Sequence, residues 1–426
     1  MRRRVVPPGS FRANMVIRMS GTAVAQVIIL AVSPLLTRLF TPEEFGALGV
    51  FMSLTFVATT LVTLRYDQAL MLPKEAEDAA ALFWAALLSV GLVSACMLLA
   101  SAVFFRLAPE LLRVQDVSGW VVLVPLSIFL QGLHATLTSW SVRRKKFARA
   151  SVSQVLRAGS MSGVQLGAGI WKAGSRGLIG GMLAGDALAA LSAGWLIGRA
   201  DWKFLKGSLA WRRIRCVARQ YRDFPLFSGA CAFLYSLSRH VPMFLLAALF
   251  GPAVAGFYAV AVRVLQAPMN FVLNSLRQVL FQKASEVFNQ GGDTYALFKR
   301  ATAGLLGIAA LPALLLLVFG PRLFAFALGG QWRVAGEYAR WMTPWLVLGF
   351  ASVPGQLFIQ ICRKQEKLLV RNVAYVLFMI AAILAGGWRR DALLAVALSS
   401  LVGVLYHAGI ILWAAGFLRQ GRATGT

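Results

Sequence analysis

Acidic residues are scarce in this chain of 426 residues. Sixteen Asp and Glu face 43 Lys and Arg, for a formal net charge of +27. Charged residues of both signs make up only 14% of the sequence, whereas 58% is hydrophobic. A soluble domain carries about 25% charged residues, so this chain cannot coat a soluble globule of its size. Apolar windows of about 20 residues, each bounded by charge, Pro or Gly, recur instead, as a helical membrane protein requires. Soluble amphipathic helices would show a polar face on every turn.

Cysteine is equally sparse. Cys96, Cys216, Cys231 and Cys362 are scattered, with no CxxC and no partnering His spacing. That excludes a disulfide framework and argues against a metal site. Catalytic motifs are missing too: there is no DxD, HExxH, P-loop or GxSxG, and no cofactor is expected. The basic excess does not imply nucleic acid, because Lys and Arg cluster in short segments between apolar runs. Such clusters are the positive-inside signal, and they favour anionic membrane lipid. No small-residue cleavage site follows the first apolar run, which reads as a retained span.

Twelve spans are predicted, near residues 15–37, 46–64, 79–105, 118–140, 151–171, 177–198, 225–249, 254–281, 300–319, 341–361, 371–387 and 392–417. With the N-terminus inside, Lys and Arg on the cytoplasmic side outnumber those opposite by about three to one, which puts both termini in the cytoplasm. Residues 199–223 form a basic segment with Trp202, Phe204 and Trp211 interleaved, expected to lie on the inner surface as an interfacial helix.

An internal repeat divides the chain at that segment. Ser20-Gly21, Pro34, Phe40-Thr41-Pro42 and Gly46 return as Ser228-Gly229, Pro242, Phe250-Gly251-Pro252 and Gly256. Both copies open a block of six spans in the same orientation, as in parallel repeats. The expected fold class is an all-α polytopic membrane protein of about 12 transmembrane helices. Its two pseudo-symmetric six-helix lobes would occupy residues 1–198 and 225–426, joined by a basic cytoplasmic linker at 199–224.

Ionisable residues inside spans are the candidate site. An Arg at mid-membrane costs about 2.5–3.5 kcal/mol on insertion scales and so faces a cavity or a partner. Arg239 and Arg263 each lie about ten residues from the outer end of their span, ~15 Å deep at 1.5 Å per residue. Two guanidiniums at one depth can hold a diphosphate bidentately; snorkelling or an internal ion pair is the plainer role. His240 adjoins Arg239 as ligand contact or packing residue. Arg18 and Arg65 mark the inner ends of the first two spans and form a candidate entry ring for an anionic headgroup. Asp186, in GGMLAGDALAALSAG, is either a proton or sodium coupling site or the partner of an intramembrane Arg. Gly163, Gly167, Gly177, Gly181 and Gly185 read as small-residue helix packing.

The stretches SGTAVAQ, SPLLTRLFTPEEFGALGVF and LRYDQALMLPK, with weaker similarity through LRAGSMSGVQLGAGI, GLIGGMLAGDALAA, FPLFSG and GPAVAGFYAVAVRVL, resemble bacterial polysaccharide biosynthesis proteins. These are the Wzx-type flippases of the multidrug/oligosaccharidyl-lipid/polysaccharide exporter superfamily. The resemblance implies two six-helix lobes around a central cationic cavity and alternating access. It also implies the cargo: undecaprenyl-diphosphate-linked oligosaccharide, moved from the inner to the outer leaflet of the cytoplasmic membrane for O-antigen, capsule or exopolysaccharide assembly. A glycan polymerase and export machinery would be its partners. Two alternatives stand beside this reading. An exporter of amphipathic cations requires an acidic cavity, and a membrane glycan polymerase or ligase requires a large external loop; the longest here is Gly320 to Arg340.

Overall fold

The computed structural model describes residues 11–107, 122–290, 292–362 and 365–424, and every regular element among them is helical. Helices α1 (Phe11–Leu39) and α2 (Pro42–Val62) are separated by the short polar turn. Pro42 takes the first helical position, where no N–H is needed. The Thr41 N–H donates to Glu44 Oε2 at 2.8 Å and the Glu44 N–H to Thr41 Oγ1 at 3.4 Å, a reciprocal capping box. A single turn, α3 (Tyr66–Ala69), precedes α4 (Ala76–Leu107), α5 (Val124–Arg143), α6 (Phe147–Ile170), α7 (Gly174–Gly207) and α8 (Trp211–Gln220). A π-helical turn, Phe224–Gly229, leads into α9 (Ala230–Phe250). Helices α10 (Pro252–Asn289), α11 (Thr294–Leu328), α12 (Arg333–Ala351), α13 (Val353–Ile361), α14 (Gln365–Trp388) and α15 (Ala392–Thr424) complete the chain.

Over the described residues a helix overlies each predicted span, residues 118–121 of the fourth lying outside them and the tenth being broken at Ser352 into α12 and α13. By length and apolarity, nine segments among the described residues qualify as membrane-crossing. Helices α5, α6 and α10 are not among the nine. These three carry Gln131, His134, Arg157, Gln165 and Arg263 where lipid-facing helices carry aliphatic residues.

Three expectations change. The long external loop is mostly helix, since α11 runs on to Leu328 and α12 begins at Arg333. The basic segment 199–223 is not one interfacial helix: α7 continues through it to Gly207, and only α8 is separate. Ile214 and Val217 of α8 are buried in a cluster with Leu70, Leu82, Phe83 and Trp140, so its apolar face meets protein rather than lipid. Helix packing uses only some of the glycines. A Cβ at Gly177, Gly181 or Gly185 would come within 2.8 Å of Ala168, Gln165 or Arg157, whereas Gly163 and Gly167 face open space.

The chain forms two compact units, Met1–Phe40 with Ala47–His240, and Thr41–Gly46 with Val241–Thr426. In the first, α1 lies hard against α6: a Cβ at Gly21 would sit 2.4 Å from Ser151 Cβ, and Thr22 Oγ1 donates to Gln154 Oε1 at 3.3 Å. Asp201, buried at the end of α7, accepts from Arg149 at 2.8 Å and Arg144 at 3.3 Å.

In the second unit the two repeat turns meet each other. A Cβ at Gly46 would lie 1.9 Å from the Pro252 carbonyl oxygen, and one at Gly256 would lie 1.8 Å from that of Pro42. Trp332, fully buried, receives Phe45 edge-on at 5.2 Å and Phe257 edge-on at 6.0 Å. Thus the Pro and Gly of both copies, with the neighbouring Phe45 and Phe257, build one small core. Where the first turn uses its capping box, the second uses Gly251 at φ +87°, a conformation that only glycine adopts without strain.

Candidate functional site

Arg239 and His240 sit on α9 in the first unit. The Arg239 guanidinium is exposed; its Nη1 donates to the Tyr235 hydroxyl at 3.2 Å, one turn back, and its Cζ lies 5.9 Å from that ring's centroid. His240 is held by packing: Nδ1 is 3.0 Å from Ser53 Oγ, and Phe56 lies 5.8 Å from its ring. Arg263, on α10 in the second unit, is half-buried and has no hydrogen-bond or ion-pair partner among the described residues. An uncompensated guanidinium inside a membrane helix is costly, so its charge calls for an anion or for water.

Arg65 stands just beyond the C-terminal end of α2 in a left-handed conformation, φ 61°, immediately after Leu64 at φ 48°. For a residue with a Cβ each such conformation costs about 1–3 kcal/mol and survives only when its surroundings hold it. Here the flanks do so. Thr63 Oγ1 donates to Asp67 Oδ1 at 2.6 Å, and the Tyr66 hydroxyl donates to the Ala218 carbonyl at 3.2 Å. Burial raises the Tyr66 phenol above its ordinary pKa, keeping that donor protonated. Arg65 Nε is buried with no partner among the described residues. Arg18 belongs to α1, but its side chain lies outside the described residues.

Asp186 is 1% exposed and fully engaged. Its Oδ1 accepts from Arg157 Nε at 2.6 Å and faces Arg157 Nη2 at 2.5 Å, while Oδ2 accepts from Gln131 Nε2 at 3.0 Å. Gln131 also donates to Ser127 Oγ at 3.1 Å and accepts from Thr59 Oγ1 at 3.2 Å. Helices α2, α5, α6 and α7 thus share one polar network. The sequence places Arg157 inside its span but does not pair it with Asp186. Those residues are 29 positions apart on two helices, and no periodicity links them. A second polar group, in the other unit, has no signature in the sequence either: His407 Nδ1 lies 3.0 Å from Ser352 Oγ, and Tyr375 stacks on Tyr406 at 4.4 Å. Among the described residues no His, Cys, Asp and Glu group can hold a metal ion.

The fold is similar to that of an inward-facing multidrug resistance MATE family transporter of the MOP superfamily. The TM-score is 0.72 at 14% identity, over 97% of this chain and 100% of that one. It is also similar to the lipid II flippase MurJ in its inward closed conformation, at 0.70 and 12% identity over 95% and 90%. An outward-facing MATE family transporter aligns at 0.58 and 12% identity over 97% and 95%. No curated protein sequence matches the chain. Residues 35–337 match the family described as polysaccharide biosynthesis protein, a stretch that holds Arg65, the Asp186 network, Arg239 and Arg263. The chain is therefore a multi-pass membrane protein with the fold of the MOP superfamily transporters, and it belongs to the polysaccharide biosynthesis protein family.

Proposed function

We propose that this protein is a flippase that carries polyprenyl-diphosphate-linked oligosaccharide from the inner to the outer leaflet of the cytoplasmic membrane. Two six-helix lobes, residues 1–198 and 225–426, would alternate access to the glycan and diphosphate while the polyprenyl tail stays in lipid. The observation that carries this reading is the imbalance of intramembrane charge. Asp186, within its span, and Asp201, just beyond it, are the two buried carboxylates among the described residues, and arginines already neutralise both. Arg263 has no such partner. Cargo meeting these residues would be anionic, and a cationic drug would find no unpaired buried carboxylate among the described residues. We assign Asp186 the role of internal partner to Arg157, Arg263 that of a diphosphate contact in its own unit, and Arg239 and Arg65 that of anion contacts in theirs. The short Gly329–Trp332 connection supports a transporter over a polymerase or ligase, which needs an external catalytic loop. An inside-negative potential would assist, by about 2.3 kcal/mol per negative charge per 100 mV for full transit of the field.

Reconstitution in proteoliposomes tests this. Wild-type protein should flip a lipid-linked oligosaccharide, and Arg263→Ala should lower the rate about tenfold or more. Hydrogen bonds to charged groups contribute about 1.5–3 kcal/mol, and a tenfold change corresponds to about 1.4 kcal/mol. Adding Arg239→Ala should lower it further. Equal flipping by wild type and the double variant would remove the arginines from the mechanism and leave the flippase standing. No transport of any lipid-linked glycan by the wild type would overturn the flippase itself.

A further inference from the structure

A separate cationic face lies on α8, outside the predicted spans. At 100° per residue, Arg212, Arg215 and Arg219 fall within about 60° of one another on this helix. Ile214 and Val217 fall on the opposite side and are buried in the cluster beneath α8. The helix cannot roll, because Arg213 is anchored to the first turn of α4: its Nε donates to Asp78 Oδ1 at 2.8 Å, and its Nη1 pairs with Glu77. The outer arginines are thereby fixed in place. With Arg222 they line an open concavity of about 740 Å³, with Gln220 and Asp223 alongside. All four guanidiniums are exposed, and none has an ion-pair partner among the described residues. Like charges at this helical spacing repel, and a bridging anion would relieve that repulsion.

Its flanks indicate which anion. Immediately before the arginines stand Leu209 and Trp211, the latter 66% exposed; immediately after stand Leu226 and Phe227, the latter 67% exposed. A soluble polyanion would leave these apolar side chains in water. At a bilayer surface they enter the boundary between headgroups and acyl chains while the arginines meet phosphate. We propose that the Arg212, Arg215, Arg219 and Arg222 face is a binding site for the phosphate headgroups of anionic phospholipid, and that it holds the α7–α9 connection on the inner leaflet.

The test is native mass spectrometry after purification, with phosphatidylglycerol, cardiolipin, phosphatidylcholine and polyprenyl diphosphate offered in turn. Wild-type protein should retain phosphatidylglycerol or cardiolipin over phosphatidylcholine. The quadruple variant R212Q/R215Q/R219Q/R222Q should retain at least about tenfold less, because four charges that attract an anionic lipid surface are lost. A control removing four exposed basic residues elsewhere, K172Q/R176Q/R389Q/R390Q, should retain as much as wild type. All eight side chains are exposed, so both variants should fold, and matching melting curves verify this. Equal retention by the quadruple variant and wild type would overturn the proposal, as would equal retention of phosphatidylcholine. So would preferential retention of polyprenyl diphosphate, which would make the face a substrate-loading site.

Discussion

Asp186→Ala should destabilise the protein by about 3–5 kcal/mol, the range observed when one member of a buried ion pair is removed. The carboxylate is 1% exposed, and both oxygens are occupied, Oδ1 by Arg157 at 2.5–2.6 Å and Oδ2 by Gln131 at 3.0 Å. Without it, the Arg157 guanidinium is left among α5, α6 and α7 with no counter-charge, and Gln131 loses the acceptor that orients it. Arg157→Met should be similarly harmful, because it strands the carboxylate. The double variant Asp186→Leu/Arg157→Met should recover most of the loss, since two apolar side chains of similar volume need neither hydration nor a partner. Thermal unfolding in detergent reads all four proteins. If the single variants melt with wild type, or the double variant is no better than either single, the pair does not hold this unit together. The same series informs coupling. Flipping by the recovered double variant would show that transport needs no ion at this carboxylate, whereas a folded but inactive double variant would return Asp186 to the coupling role.

Gly46→Ala and Gly256→Ala should each destabilise the paired repeat turns by about 1–3 kcal/mol or more, the usual cost of overpacking. The added methyl would approach a backbone carbonyl to 1.9 Å at Gly46 and 1.8 Å at Gly256, and a carbonyl inside a helix cannot rotate aside as a flexible side chain can. Relief requires the two helix starts to separate, which would pull Phe45 and Phe257 off Trp332. The two positions share one contact, so the double variant should cost less than the sum of the singles. Gly163→Ala and Gly167→Ala are the counter-test. Both face open space inside α6, and replacing a mid-helix glycine by alanine should stabilise by about 0.5–1 kcal/mol. Melting temperatures that fall for the first pair and rise for the second would support this account. A Gly46→Ala protein as stable as wild type would show that the turns do not pack as described.

Much of the fold is legible in the amino-acid sequence. Apolar windows of about 20 residues mark helices because a bilayer leaves no other partner for backbone N–H and C=O groups, and a helix overlies the described part of each predicted span. The repeat of Pro and Gly between Phe40–Gly46 and Phe250–Gly256 is visible as a pattern. The boundaries of the basic segment are less so, because α7 extends to Gly207 on tertiary support: Leu205 is fully buried, and its carbonyl accepts from Trp84 Nε1 at 3.0 Å. Intramembrane charge is legible residue by residue, as Arg157, Asp186, Arg239 and Arg263, because ionisable groups stand out in apolar runs.

Hydropathy and composition dictate a helical membrane chain with a deficit of acid and arginines within its apolar runs, and the order of residues carries a duplicated turn. Tertiary structure alone decided which charges are spent and which are free. Asp186 meets Arg157 across two helices and Asp201 meets Arg149, while Arg263 is left without such a partner among the described residues. It also decided that the two copies of the repeat pack against each other, Gly46 on Pro252 and Gly256 on Pro42. Periodicity along a chain specifies the face of a helix; only the packing of helices specifies what that face meets.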